Sequence, residues 1–367
     1  MFRATTTSLV RTLRTQTTGL CAPVSICARR CIAALSAEEA EESFDINRKF
    51  DLPKAWTNAT LDRGAIFHSF SDPSANELRD YVRNLANSDI EVDDIEVNRH
   101  DLPRALKEMQ ELDQRALIEG EGFSVIRPID GITSVRERRI NAFVQAQILG
   151  TTPQQNAEGV KAILVYNRND GVQMKQGARY HQSRDGGSIH TDNVNIPDLW
   201  DYMLLTCLQP AQIGGESILC STLAVHNYLN EHVPEALEIL RGQFWWELRG
   251  FSDGFYRAPI LFYNDKGEPL LRYLRDYLES AHIRQGQPLT DKQMWALDVL
   301  DCVCEMSTIQ FRYNMQQGET LLANDTQLLH GRTSFTDAEA AKQSYDFEKA
   351  NNRLYQRVWL KKHAESS

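Results

Sequence analysis

Residues 186–193 read GGSIHTDN and set a histidine and an aspartate two positions apart, His190 and Asp192. Residues two apart on an extended chain share a face, so this imidazole and this carboxylate can reach one point. The pair alone identifies nothing. With 9 His and 50 Asp+Glu in 367 residues, a His-x-acid pair arises about once by chance, and His363 with Glu365 is another. A third donor is available in NDTQLLHGRTSF, where His330 follows an apolar run and precedes Gly331. Two neutral imidazoles and one carboxylate on one face would leave three positions open on an octahedral metal. That donor set suits non-haem Fe(II) oxygen chemistry, which needs room for a cosubstrate and O2. Two rival readings use the same residues. A zinc hydrolase can take these donors, although HExxH is absent. A cupin-like binding protein would hold a metal without needing open positions.

A cosubstrate with a carboxylate tail needs a cation in a closed pocket. NRLYQRVWL places Arg353 and Arg357 on one strand face with Tyr355 between them, and the arginine fork matches a carboxylate bidentately. Ser217, just after Gly214 and Gly215, is a hydroxyl that can share the load. The plainer alternative is that one arginine faces solvent and pairs with an acid.

These residues need a frame to bring them together. Apolar spacing predicts helices over 75–86, 102–119, 134–148, 222–241 and 290–306. It predicts strands at 122–129, 161–168, 202–211, 216–221, 244–251 and 259–264. Strand character returns in TIQFRYN, TLLANDTQLLH and NRLYQRVWLKK. Short strands in the second half, with helices in front and between, give a β-rich α+β class. A double-layer jelly roll (double-stranded β-helix) core framed by N-terminal and inserted helices satisfies the pattern. A parallel α/β sheet is the alternative and fits poorly, because strands and helices do not alternate regularly.

Composition narrows the function classes. A net charge of −10 argues against a nucleic-acid partner, and no apolar run approaches the ~18 residues of a membrane span. A small-molecule substrate remains, and oligomeric state is not readable. Residues 1–37 hold five arginines, ten Ser/Thr and no acid, the signature of an organelle transit peptide. Mitochondrion is the first expectation and plastid the alternative. Without that segment the rest carries about −15, because five positive charges leave with it. The expected organisation is a transit peptide at 1–37, a helical lead-in at 38–120 and the main domain at 121–362. The four later cysteines, Cys207, Cys220, Cys302 and Cys304, show no metal-ligand spacing. They read as reduced thiols, with Cys302 and Cys304 buried in a helix.

IHTDN, the YMLLTCLQPA–GGES block and the LLHGRTSF–RLYQRVWL ending occur in this order over roughly residues 120–362. Together they resemble the TauD/TfdA-like (taurine dioxygenase/clavaminate synthase-like) family of Fe(II)- and 2-oxoglutarate-dependent dioxygenases. The resemblance implies a double-stranded β-helix, with His190, Asp192 and His330 on Fe(II). It places Arg353 and Ser217 on the distal carboxylate of 2-oxoglutarate, with Arg357 nearby. In the family that arginine follows the second histidine by about ten to fifteen residues. Here TDAEAAKQSYDFEKANN intervenes, so Arg332 is the alternative. The implied reaction consumes 2-oxoglutarate and O2, releases succinate and CO2, and hydroxylates a C–H bond, with desaturation or cyclisation as variants. The implied substrate is a small polar metabolite, an amino acid or a derivative. A carnitine-pathway hydroxylase (trimethyllysine or γ-butyrobetaine type) ranks second. Those enzymes carry a cysteine-rich N-terminal zinc domain, and residues 38–206 contain no cysteine.

Overall fold

Two β-sheets share an apolar layer, and each buries its other face under helices. The computed structural model describes residues 48–156, 158–168, 184, 186–187, 189–249, 251–340, 346–349 and 351–363. The transit-peptide expectation at 1–37 and the start of the lead-in lie outside these residues. All described residues belong to one unit, Asp45–Ser367.

The first half supplies β1 (Phe67–His68), α1 (Asp72–Ala86), α2 (Pro103–Leu112), β2 (Phe123–Ile126), α3 (Val135–Leu149), β3 (Gly150–Thr151) and β4 (Ala162–Val165). Next come β5 (Tyr202–Gln209), β6 (Ile213–Gly214), β7 (Ser217–Ser221), α4 (Thr222–His232) and α5 (Pro234–Leu240). They are followed by β8 (Phe244–Glu247), β9 (Phe255–Ala258), β10 (Leu261–Tyr263), β11 (Pro269–Leu271), α6 (Arg275–Arg284) and α7 (Asp291–Glu305). The chain closes with β12 (Phe311–Tyr313), β13 (Thr320–Asn324), β14 (Leu328–Arg332), β15 (Phe335–Thr336) and β16 (Leu354–Lys362).

The large sheet has the order β1-β2-β13-β5-β16-β3, with β4 also on β16, and the small sheet has the order β12-β7-β14. Among the described pairings only β1·β2 is parallel, which removes the parallel-sheet alternative. Met203, Leu321, Tyr355 and Trp359 of the large sheet join Leu219, Phe311 and Leu328 of the small one in a single buried cluster. The opposite face of the large sheet packs on α1, α2 and α3 through Leu78, Met109, Phe143 and Leu204. Ile218, Cys220 and Leu329 carry the small sheet into a helical layer with Leu237 and Leu300. The lead-in is built into this frame, since β1 pairs with β2 and α1 lies in the first cluster. The class is therefore mixed α+β and sheet-rich.

Local chemistry explains where elements begin and end. Capping boxes start α3 (Ser134 with Glu137) and α7 (Thr290 with Gln293). Glu348, from the long insert before β16, accepts hydrogen bonds from the N–H groups of Val135 and Arg136 and so caps α3 as well. The single helix expected over 222–241 is two, because Pro234 cannot continue the hydrogen-bond ladder of α4. The stretch TLLANDTQLLH is not one strand. It turns at Asp325–Gln327, and the chain passes from β13 in the large sheet to β14 in the small one. One expectation is overturned in α7, where Cys304 is buried but Cys302 is exposed. Positions two apart on a helix point roughly 200° apart, so both could not face the core.

Candidate metal centre

His330 sits in β14, fixed by its pairing with Leu219 of β7. His190 lies outside any named strand but forms an isolated antiparallel bridge with His330. The two residues exchange both backbone hydrogen bonds, each 2.8 Å long. Their rings consequently stand side by side, with centroids 4.5 Å apart. Thr191 pairs with Tyr273 in the opposite direction, which returns Asp192 to the face of His190. His190 Nε2 lies 3.8 Å from Asp192 Oδ1 and His330 Nε2 lies 3.8 Å from Asp192 Oδ2, and one donor atom from each residue falls within 4.8 Å of the others. A gap of 3.8 Å is too long for a hydrogen bond. Two donors bound about 2 Å from one ion stand roughly 3–4 Å apart, so an inward shift of about 1 Å brings the trio onto a single metal.

The electrostatics prepare the same state. Burial and neighbouring His190 push His330 down to about 3 against the opposing pull of Asp192, so its ring is neutral and can donate a lone pair. Burial acts to raise Asp192, but the Arg357 guanidinium above all, with the Trp359 N–H, holds it down at about 2. Arg357 Nη1 bonds Asp192 Oδ1 at 3.0 Å, and Trp359 Nε1 bonds Oδ2 at 2.8 Å. Gln155 accepts from Arg357 Nε at 3.0 Å and so fixes the guanidinium. Asp325 lies behind the trio and accepts the Asp192 N–H at 3.0 Å. Burial and the adjacent Asp192 carboxylate push Asp325 up to about 8.

The remaining residues singled out in the sequence divide into two places. Arg357 meets Asp192, whereas Arg353 precedes β16 and stacks over Tyr355 at 3.9 Å and Phe335 at 5.0 Å. Arg353 is 3% exposed, and its Nε and Nη1 have no hydrogen-bond partner. Gly215 makes room for it. A Cβ there would stand 3.1 Å from Arg353 Nε, and the backbone φ of +76° disfavours any side chain. Ser217 is buried in β7 and pairs in register with Arg332. Arg332 also packs on Phe335 and has an interaction partner of its own. At the base of the insert, Asn352 makes two hydrogen bonds to the Glu339 backbone.

A small cleft of about 50 Å³ opens beside the trio, lined in part by Asn195, Arg249, Phe251, Tyr277 and Trp359. Two larger hollows, of about 550 and 800 Å³, touch none of the three donors. Arg249 is anchored by Glu247 at 2.8 Å and Ser280 at 3.1 Å and lies 4.3 Å over the Tyr277 ring. Among the described residues lining the cleft, Asp192 is the one carboxylate. Sequence reasoning did not single out Asp325, Trp359 or Arg249. The first two lie close in sequence to named residues, but nothing local marks them as partners of Asp192.

Residues 77–345 match the family described as "Taurine catabolism dioxygenase TauD, TfdA family". The chain belongs to this family. The match spans all three donors of the metal centre, His190, Asp192 and His330. A taurine hydroxylase-like protein, SAT17 of Stachybotrys chartarum, is 27% identical over 248 residues, which is 64% of this chain and 61% of that protein. The chain thus matches about three fifths of that relative's length. Asparagine oxygenase, solved with Fe(II), 3-hydroxyasparagine and succinate, superposes with a TM-score of 0.63 at 17% identity, over 80% of this chain and 93% of that one. The non-haem iron oxygenase OrfP, solved with Fe, succinate and 3-hydroxy-arginine, gives 0.57 at 14% identity, with 80% and 93% covered. These two likenesses concern the fold.

Proposed function

We propose that this protein oxidises a C–H bond of a small, acid-bearing polar metabolite, an amino acid or a derivative, with hydroxylation as the outcome. The two facing sheets are read as the halves of a jelly roll, with the metal centre between them. His190, Asp192 and His330 would hold Fe(II), which when bound supplies the oxidising power for 2-oxoglutarate-coupled attack on the substrate. Every other task falls to the chain. The carrying observation is the convergence of two imidazoles, that of His330 neutral, and one ionised carboxylate on one buried point.

Arg353 is the residue for the distal carboxylate of 2-oxoglutarate, with Ser217 alongside. Its Nε and Nη1, buried and without hydrogen-bond partners, are the support, because buried polar groups left unmade are costly. The rival Arg332 already has a partner. Arg357 orients Asp192, and Trp359 closes the same carboxylate from its other oxygen. Arg249 faces the cleft as the group for the substrate's acid. Hydroxylated asparagine and arginine in the two solved neighbours support an amino-acid-like substrate.

Localisation in the mitochondrion belongs to the same proposal. It rests on the arginine-rich, acid-free first 37 residues, and mass spectrometry of the natural N-terminus tests it. The activity is tested by succinate release from 2-oxoglutarate with Fe(II), screened against acidic, neutral and cationic metabolites. Substrate-stimulated succinate from an acid supports the reading. Zinc-dependent hydrolysis without succinate would replace it.

A further inference from the structure

A histidine that gives Nε2 to a metal must carry its proton on Nδ1, and a buried Nδ1–H needs an acceptor. His330 Nδ1 is buried and has no hydrogen-bond partner. An oxygen of Asp325, Oδ1, stands 3.9 Å away. Asp325 is 1% exposed and occupies the turn where the chain leaves β13 for β14, five residues before His330. The same Oδ1 accepts the backbone N–H of Asp192 at 3.0 Å. Its partner Oδ2 accepts from the Asn193 side chain at 3.0 Å. Asn193 has a φ of 61°, the one positive value among described residues other than glycine. A non-glycine residue holds that conformation when its surroundings fix it. The Asp325 clamp does so, and it thereby sets the turn that follows Asp192.

We infer that Asp325 is a positioning residue that serves two arms of the metal centre at once, anchoring the backbone of Asp192 and fixing the His330 tautomer through Nδ1–H. The inference rests on the metal-centre reading above. An approach of about 1 Å between His330 and Asp325 makes the second hydrogen bond. A residue that merely tied the β13–β14 turn would show the anchoring bonds, but would have no bearing on the imidazole.

The test measures Fe(II) affinity anaerobically, with Co(II) as an air-stable check, together with the melting temperature of the metal-free protein. Asp325→Asn keeps the size and an acceptor for the Asp192 N–H, and Asp325→Ala removes both oxygens. The expected result for Asp325→Asn is a ten- to hundredfold rise in metal Kd, about the range for outer partners of metal ligands, with little change in metal-free melting temperature. Metal affinity unchanged in both variants overturns the inference, as does a loss confined to melting temperature. A readout on the unsubstituted protein covers the case in which the variants fail to fold. In the zinc-loaded protein, nitrogen-15 NMR should find the His330 proton on Nδ1, protected from exchange. His330 bound through Nδ1, or an Nδ1–H that exchanges as if in water, overturns it. An unsubstituted protein that binds neither metal overturns the metal-centre reading, and this inference with it.

Discussion

Truncating Arg353 separates cosubstrate binding from stability. In the structure this guanidinium is buried against Tyr355 and Phe335, with Nε and Nη1 unpaired. A hydrogen bond to a charged group contributes about 1.5–3 kcal/mol, so Arg353→Ala should raise the 2-oxoglutarate Kd roughly ten- to hundredfold. The same change removes a buried cation whose Nε and Nη1 lack hydrogen-bond partners, so the cosubstrate-free protein should lose less stability than the lost packing alone would cost. Anaerobic calorimetry with 2-oxoglutarate, alongside melting curves with and without it, reads both quantities. Arg353→Lys should recover only part of the affinity, because an ammonium cannot reproduce the fork. Arg332→Ala is the control. Strong weakening in Arg332→Ala with none in Arg353→Ala would refute the assignment and give the carboxylate to the arginine two residues after His330.

Arg249→Gln should raise the KM for an acidic substrate about tenfold or more, with basal 2-oxoglutarate turnover unchanged, as steady-state succinate assays would show. An unchanged KM removes Arg249 from substrate binding. The metal-free protein should lose stability as pH falls below the ordinary histidine range. His226, pushed down to about 4 by burial, and His330, at about 3, both bind a proton more readily once unfolded. That contribution is complete above about 6.5 and fades as pH falls towards these two values, and His226→Gln should flatten the acid limb of a pH–melting profile. Of the four cysteines after residue 37, Cys302 alone should be alkylated in the folded protein. Cys207 and Cys220 are buried with thiols pushed up to about 12, and peptide mass spectrometry after iodoacetamide checks the pattern.

The strands around the site were legible because buried strands read as apolar runs, and His190 with Asp192 because alternation places them together. What the sequence hid were events that alternation does not record. TLLANDTQLLH has strand-like ends around a polar middle, and alternation does not say that Asp325–Gln327 moves the chain from one sheet to the other. Asp325 and Asp192 are 133 positions apart, and no local spacing announces their hydrogen bond. Arg249 looked like one more residue of the strand-like FWWELRGF, but β8 ends at Glu247 and frees it to face the cleft. Helix α6 was missed because RDYLESAHIR has few apolar positions, with Leu278 and Ala281 carrying its buried side. Trp359 packs in the buried layer between the sheets, and no local spacing announces its indole N–H bond to Asp192.

The central claim is that His190, Asp192 and His330 share one metal that also receives 2-oxoglutarate. Anaerobic addition of Fe(II) and 2-oxoglutarate should produce a weak visible charge-transfer band in the unsubstituted protein. The band and succinate release should both be absent in His190→Ala, Asp192→Ala and His330→Ala, with the fold retained by circular dichroism. Full turnover in Asp192→Ala and His330→Ala would contradict the account.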